Sequence, residues 1–330
     1  VSEAEKTSLE SLDRQLTMEL GRVTEAAAVA AATLRGRGDE KAADQAAVDA
    51  MRRELNYLPI DGVVRIGEGE RDEAPMLYIG EKVGTGQGPK LDVALDPLEG
   101  TTICAKNTPN SLAVIALART GNLLYAPDVY MEKIAIGPGF PKGVIDLEAP
   151  AGDNIRALAK AKDVKPSDIR ACVLDRPRHA AIIEEIRATG ASIRLIGDGD
   201  VAGVIHTTDP DETGIDIYIG TGGAPEGVLA AAALRCTGGQ MFGRPIIRNE
   251  EQLDRTIAMG FSDPNQIFSM EEMAKGDVLF AATGVTDGNM LRGVRFNRKN
   301  IITDTVVMRS STGTIRYIKG VHSDTSKFHL

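Results

Sequence analysis

Between Val93 and Thr102 the chain reads Val-Ala-Leu-Asp-Pro-Leu-Glu-Gly-Thr-Thr. An apolar strand ends in Asp96, and Pro97 stops the ladder because it has no N–H to donate. Glu99 follows three positions later, Gly100 permits a tight backbone path, and Thr101 offers a hydroxyl. Two carboxylates and a hydroxyl at one strand end are the oxygen ligands that hard divalent cations take. Amides exposed after Gly100, where a helix begins, suit a phosphate. The same residues also form a plain turn closed by an Asx-type bond from Asp96. Spacing alone leaves both readings open.

Other segments offer related chemistry. Gly67-Glu68-Gly69-Glu70-Arg71-Asp72-Glu73 follows a strand ending at Ile66, and its glycines let other groups approach closely, although a solvated acidic loop has the same composition. Gly220-Thr221-Gly222-Gly223-Ala224-Pro225-Glu226-Gly227 lies between a strand and an Ala-rich helix. There Pro225 suits the first turn, and Glu226 is a carboxylate that the helix dipole favours in any case. Asp44 reads locally as an ordinary N-cap. Asp198-Gly199-Asp200 follows a strand and opens a helix, at the kind of strand end where α/β layers place ligands. Its carboxylates fit sugar hydroxyls, or a glycine turn with an Asp cap. Arg176-Pro177-Arg178-His179 also follows a strand, and its two arginines fit a bidentate grip on phosphate. His179 reads as a surface or capping residue. There is no Ser–His–Asp order, no Cys–His pairing, no strict G-x-G-x-x-G and no G-x-x-x-x-G-K-[ST].

The elements that must position these residues are visible in the periodicity. Leu16, Leu20, Val23 and Ala27 form one helical stripe, ended by Gly36-Arg37-Gly38. A second helix is expected from about Asp44 to Leu55, with Ala47, Met51 and Leu55 on one face. Strand-like runs follow: Val63 to Ile66, Met76 to Ile79, Leu91 to Leu95, Leu112 to Leu117, and one near Leu123 to Tyr125. Two helices and then several strands suggest an α+β first half. From about residue 152 strands (Ala171 to Leu174, Ile193 to Ile196, Ile215 to Ile219) alternate with helices (Asn154 to Lys162, Ile182 to Ala188, Val201 to His206, Val228 to Leu234). That reads as an α/β layer with some parallel pairing. The fold class is therefore α/β, with residues 1–150 and 151–330 as two domains meeting near Glu148 to Gly152. Strand patterns return beyond residue 278, and the sequence leaves open which sheet they join.

Composition narrows the class of molecule. The chain has 330 residues, 47 acidic against 38 basic side chains, a formal net charge of −9 and no Trp. Ala, Val, Ile and Leu must fill most of the core, and the acidic balance argues against a general nucleic-acid binder. No run approaches the ~20 apolar residues that span a bilayer, and the polar start Val1 to Lys6 has no signal-peptide pattern. Cys104, Cys172 and Cys236 are far apart without a CxxC, and read as reduced thiols in a cytoplasmic protein.

The Asp96-to-Thr101 segment resembles the Asp-Pro-Ile/Leu-Asp/Glu-Gly-Thr signature of metal-dependent, lithium-sensitive sugar phosphatases. Four further segments narrow the resemblance: Gly36-Arg37-Gly38-Asp39 with Asp44; Ile66 to Glu70 running on to Ala74-Pro75-Met76-Leu77-Tyr78; Asp175 to His179; and Gly222 to Gly227. Together they resemble the class II fructose-1,6-bisphosphatases, the GlpX type, from about residue 13 to about residue 322. The resemblance implies a sugar-phosphatase (inositol monophosphatase-like) fold of stacked α and β layers. It implies metal ligands at Asp44, Glu68, Asp96, Glu99 and Glu226, holding Mn²⁺ or Mg²⁺. Substrate contacts would be Glu99, Gly100, Thr101, Tyr130, Arg176, Pro177, Arg178, Asp198, Gly199, Asp200 and Gly223. Thr101 would orient or activate the attacking water, and the enzyme would be a homodimer or homotetramer acting on a small sugar bisphosphate. One departure stands out: the family commonly has Lys directly after the acid of the Gly-x-Gly-Asp/Glu segment, and here Glu40 occupies that place with Lys41 next.

The implied reaction is removal of the 1-phosphate of fructose 1,6-bisphosphate. Within the class the rivals are a sedoheptulose 1,7-bisphosphatase, alone or dual, and an inositol or sugar monophosphatase. A monophosphatase has no second phosphate for Arg176 and Arg178. From other classes, a nucleotide-binding oxidoreductase lacks its dinucleotide fingerprint, and a non-catalytic sensor would not need Thr101 beside a full carboxylate set.

Overall fold

Helix α1 (Arg14–Ala32) buries Leu16, Leu20, Val23 and Ala27, the stripe read from the sequence. Helix α2 (Glu40–Leu55) begins one turn earlier than its apolar pattern, because the Asp39 carboxylate accepts a hydrogen bond from the Ala42 amide at 3.0 Å and caps it. Asp44 therefore lies inside the helix and is not its cap. Glu40 and Lys41 both point to solvent in its first turn.

These helices cover a sheet in the computed structural model, which describes residues 14–69 and 76–329. The start Val1 to Lys6 and the acidic run Glu70-Arg71-Asp72-Glu73 with Ala74-Pro75 lie outside the described residues. The first sheet uses β1 (Asp61–Ile66), β2 (Lys82–Val83), β3 (Lys90–Glu99) and β4 (Leu112–Arg119). It is completed by β11 (Val278–Gly284), β12 (Arg295–Phe296), β13 (Ile301–Arg309) and β14 (Thr314–His322). Its order is β12-β13-β11-β4-β3-β1-β2, with β14 on the other edge of β13. All its pairs are antiparallel except β1 with β3. The late strands thus join the first sheet. Met76 to Ile79 is not a strand, and Leu77 there has a φ of 54°. Near Leu123 only a single bridge to Ala274 forms.

The second sheet comprises β5 (Tyr130–Ile136), β6 (Arg170–Leu174), β7 (Ser192–Ile196), β8 (Ile217–Gly223), β9 (Gln240–Ile246) and β10 (Phe268–Ser269), in the order β10-β9-β5-β8-β6-β7. Strand β6 is parallel to both β7 and β8, while β5 is antiparallel to β8 and β9. Helices α4 (Ala151–Lys162) and α5 (Ala180–Ala188) cover one face, packing Ile155, Leu158 and Ile186 into its core. Because β5 pairs with β8 and β9, a boundary near residue 150 would cut this sheet. The chain instead divides into one unit of Val1–Leu124 with Ala274–Leu330 and another of Tyr125–Met273. No described helix is long and apolar enough to cross a membrane.

The core of the first unit contains a chain of hydroxyls. Thr24 and Thr283 meet at 2.8 Å, and Thr283 meets Thr305 at 2.8 Å, all three buried. They join α1 to β11 and β13. Replacing Thr283 by Val keeps the shape and removes the hydroxyl that the buried Thr305 meets, while Thr24 keeps its bond to the Gly21 carbonyl at 3.1 Å. We expect Thr283→Val to lower stability by about 1–3 kcal/mol, read as a lower urea midpoint; an unchanged midpoint would show that the chain of hydroxyls carries no net stability.

Candidate active site

In the first unit the parallel pairing of β1 with β3 aligns Val64 with Val93 and Ile66 with Ala94. Glu68 and Asp96 each come two residues later, so both lie toward the same end of this strand pair. Gly67 is required there: a Cβ at that position would lie 2.1 Å from the Leu77 carbonyl oxygen, which accepts the Glu68 amide at 3.1 Å. Pro97 does not end β3 but interrupts it. The register slips between Asp96, opposite Val114, and Glu99, opposite Leu112. Such a bulge re-aims side chains, and Asp96 and Glu99 bring carboxylate oxygens within 4.8 Å of each other. The Asx-type bond is present too, with Asp96 Oδ1 accepting the Leu98 amide at 3.0 Å.

Gly100, at φ 80°, turns the chain into helix α3 (Thr101–Lys106), placing Thr101 in its first turn. The carbonyls of Cys104 and Ala105 then accept the amides of Gly36 and Gly38 at 2.9 and 3.0 Å. This glycine loop leads to the Asp39 cap and hence to Asp44 on α2. One backbone path thus links the Thr101 segment to Asp44.

The electrostatics of this edge are those of a crowded anion site. Burial, then the charges of Asp96 and Asp44, push the Glu68 carboxyl up to about 9. Burial also raises Asp44. Carboxylates gathered in partly desolvated surroundings fit a hard divalent cation.

The second unit builds a different edge. The carboxyl ends of the parallel strands β6, β7 and β8 carry Arg176-Pro177-Arg178-His179, Asp198-Gly199-Asp200 and Gly220 to Gly223 respectively. Tyr130 begins β5 on the same edge, opposite Gly223 and Ile246. Arg178 donates through Nε and Nη2 to the Thr221 carbonyl at 3.1 and 2.6 Å, and Arg176 donates to the Asp175 carbonyl at 3.1 Å. Asp198 accepts the Gly199 amide at 3.0 Å. Gly199, at φ 81°, opens helix α6 (Asp200–Ile205). Helix α7 (Ala224–Thr237) holds Glu226 in its first turn. A Cβ on Gly222 would strike Asp200 Oδ2 and one on Gly223 would strike Glu226 Oε2, so both carboxylates lie directly against bare backbone.

Three residues of this edge escape sequence reasoning. Lys133, on β5 and 1% exposed, donates to Asp200 and, at 2.7 Å, to the Gly223 carbonyl. Its only signal is a lysine directly before the apolar run Ile134-Ala135-Ile136. Arg248, just beyond β9, lies with its guanidinium carbon 4.6 Å from the Tyr130 ring centre. His179 is fully buried, contrary to the surface reading. Its Nδ1–H donates to the Leu174 carbonyl at 2.7 Å and its Nε2 accepts the Thr221 amide at 2.8 Å. That pattern requires the neutral ring, and burial lowers its pKa accordingly. His179 latches the end of β6 to β8 and so fixes the loop that carries Arg178.

A sequence profile described as "Bacterial fructose-1,6-bisphosphatase, glpX-encoded" matches residues 14–322. The chain belongs to this family. It is 45% identical over 323 residues to fructose-1,6-bisphosphatase 1 class 2 of Escherichia coli K12, covering 94% of this chain and 95% of that one. The class 2 fructose-1,6-bisphosphatase of Shigella flexneri matches with the same identity and coverage. Among solved structures, an inositol monophosphatase from Anabaena aligns at 14% identity and a TM-score of 0.31, over 58% of this chain and 71% of that one. The family match contains every strand-end segment described above.

The Glu68 environment has a measurable sign. Its folded pKa of about 9 lies above the ordinary 4.5, so the folded metal-free protein binds the extra proton between those values. Stability of the metal-free protein therefore falls as pH rises through that window. Glu68→Gln is expected to flatten that fall in thermal midpoint, and Mn²⁺ added to wild type near pH 7 to release protons. A wild-type profile no steeper than the variant's would refute the crowding.

Proposed function

We propose that the chain hydrolyses the 1-phosphate of fructose 1,6-bisphosphate, giving fructose 6-phosphate and inorganic phosphate, as a cytoplasmic, homo-oligomeric enzyme of gluconeogenesis or related sugar-phosphate metabolism. The observation that carries the chemistry is that Asp96 and Glu99 bring carboxylate oxygens within 4.8 Å of each other, beside the end of β1 that leads to Glu68. Asp44, Glu68, Asp96 and Glu99 hold Mg²⁺ or Mn²⁺, with Glu226 as a fifth ligand on the family motif. Bound there, the cation supplies charge neutralisation for the reacting phosphate and Lewis acidity for the displacement.

The chain's own groups then have defined work. The Thr101 hydroxyl, at the opening of α3, holds the attacking water in line with phosphorus. Glu99 and Gly100 shape that opening. Water forms the new P–O bond, the bond from phosphorus to the C1 oxygen of the sugar breaks, and no covalent enzyme intermediate is needed. Asp198 and Asp200, with Gly199 and Gly223 beside them, read sugar hydroxyls. Lys133 fixes the Asp200 carboxylate for that purpose. Arg176, Pro177 and Arg178 with Tyr130 form the seat of the distal phosphate, which a monophosphate lacks.

Thr101→Ala is expected to lower kcat by about 10²-fold or more, the scale of positioned proton-transfer groups, with a modest change in KM. Near wild-type turnover would remove Thr101 from the chemistry. EDTA should abolish phosphate release and Mn²⁺ or Mg²⁺ restore it; activity that survives complete metal removal would overturn the cluster's role. Fructose 1,6-bisphosphate, sedoheptulose 1,7-bisphosphate and inositol 1-phosphate, compared in the same assay, test the substrate.

A further inference from the structure

Two guanidinium groups converge on one phenol ring. The Arg178 carbon lies 4.8 Å and the Arg248 carbon 4.6 Å from the centre of the Tyr130 ring. The two charges are therefore within about one Debye length of each other, ~10 Å at 0.1 M salt, and are not screened apart. Among the described residues no carboxylate pairs with either. Stacking on an exposed ring returns only ~0.5–1 kcal/mol each, so two like charges are held together with little to offset them.

An anion is what makes such a pair favourable. Arg178 is already anchored, committing Nε and Nη2 to the Thr221 carbonyl. Arg248 has no such anchor for its guanidinium. Among the described residues its backbone amide alone is tied down, to the Gln252 side chain at 2.9 Å. Its five donors remain in the planar fork that suits phosphate bidentately. Tyr130 sets the distance between the two forks, because its place at the start of β5 is fixed by pairing with both Gly223 and Ile246. The Arg-Pro-Arg segment and the residue after β9 thus reach one ring from two different strand ends.

We propose that Arg248 is a specificity-determining residue that grips the distal phosphate of the bisphosphate substrate from the side of Tyr130 opposite in sequence to Arg178. This rests on the sugar-bisphosphatase reading and adds to it a cation that no local motif marks. Its role is binding, so its loss should appear in KM and in affinity for the product that retains the distal phosphate.

The test uses the full-length enzyme with Arg248→Ala, Arg248→Gln and Arg248→Lys, and Arg187→Ala on α5 as a control for lost positive charge. Fructose 6-phosphate binding is followed by calorimetry, and fructose 1,6-bisphosphate and inositol 1-phosphate hydrolysis by phosphate release. Arg248→Ala and Arg248→Gln should each weaken fructose 6-phosphate binding and raise KM for the bisphosphate about tenfold, the scale of one charge-assisted contact. Their kcat should fall less than KM rises. Arg248→Lys should recover part of the affinity, and Arg187→Ala none of the defect. Fructose 6-phosphate affinity within twofold of wild type in both neutral variants would overturn the proposal, as would equal losses on the bisphosphate and on inositol 1-phosphate. If wild type fails to hydrolyse the bisphosphate yet binds fructose 6-phosphate in an Arg248-dependent way, the reaction assignment falls and the phosphate seat stands.

Discussion

The first unit is organised around an unfavourable interaction. Glu68, Asp96 and Asp44 come from a strand end, a bulge and a helix, and each is brought toward the others against like-charge repulsion and desolvation. Nothing in the carboxylates themselves favours this arrangement. The surroundings impose it: parallel β1 and β3 run Glu68 and Asp96 to the same end of the pair, Gly67 admits the Leu77 carbonyl, and the glycine loop at Gly36 and Gly38 clamps α3 to the start of α2. The packed helices and the long sheet behind them supply the rigidity that holds the three carboxyl groups together, and Glu68 keeps its proton up to a pH of about 9.

The second unit solves the opposite problem. It too buries a carboxylate, Asp200, but gives it a permanent counter-ion in Lys133, itself buried and bonded onward to the Gly223 carbonyl. A buried acid with a fixed internal partner keeps one orientation, which suits recognition of hydroxyls. Glu68 in the first unit is instead buried near the charges of Asp96 and Asp44. The two units thus use similar residues for different work, and the difference lies in where the compensating charge comes from. The formal −9 of the chain describes the protein before any such cation is added.

Much of this was legible in the sequence wherever the determinant is local. The α1 stripe, the α2 face and the alternation of strands and helices after residue 152 follow from periodicity, and the Arg176 and Asp198 segments follow strand ends as read, whereas Asp96 to Glu99 and Gly220 to Gly223 lie within β3 and β8. Asp44 and Glu226 gained a role only through the family resemblance, since each also satisfies an ordinary helical preference. Lys133, His179 and Arg248 were not legible because their partners are set by strand register: Lys133 meets Asp200 only once β5 pairs with β8. The boundary near residue 150 failed for the same reason. Composition changes there, yet β5 before it belongs by pairing to the strands after it.

The second unit is an insertion. Strand β4 ends at Arg119 and its sheet neighbour β11 begins at Val278. During synthesis, at ~5–20 residues per second, β4 therefore waits on the order of ten seconds or more with one edge unpaired. The inserted unit, by contrast, emerges with all six of its strands in one uninterrupted stretch. The first unit is begun first and closed last, so a chain that stops between Met273 and β11 leaves the second sheet whole and the first sheet open.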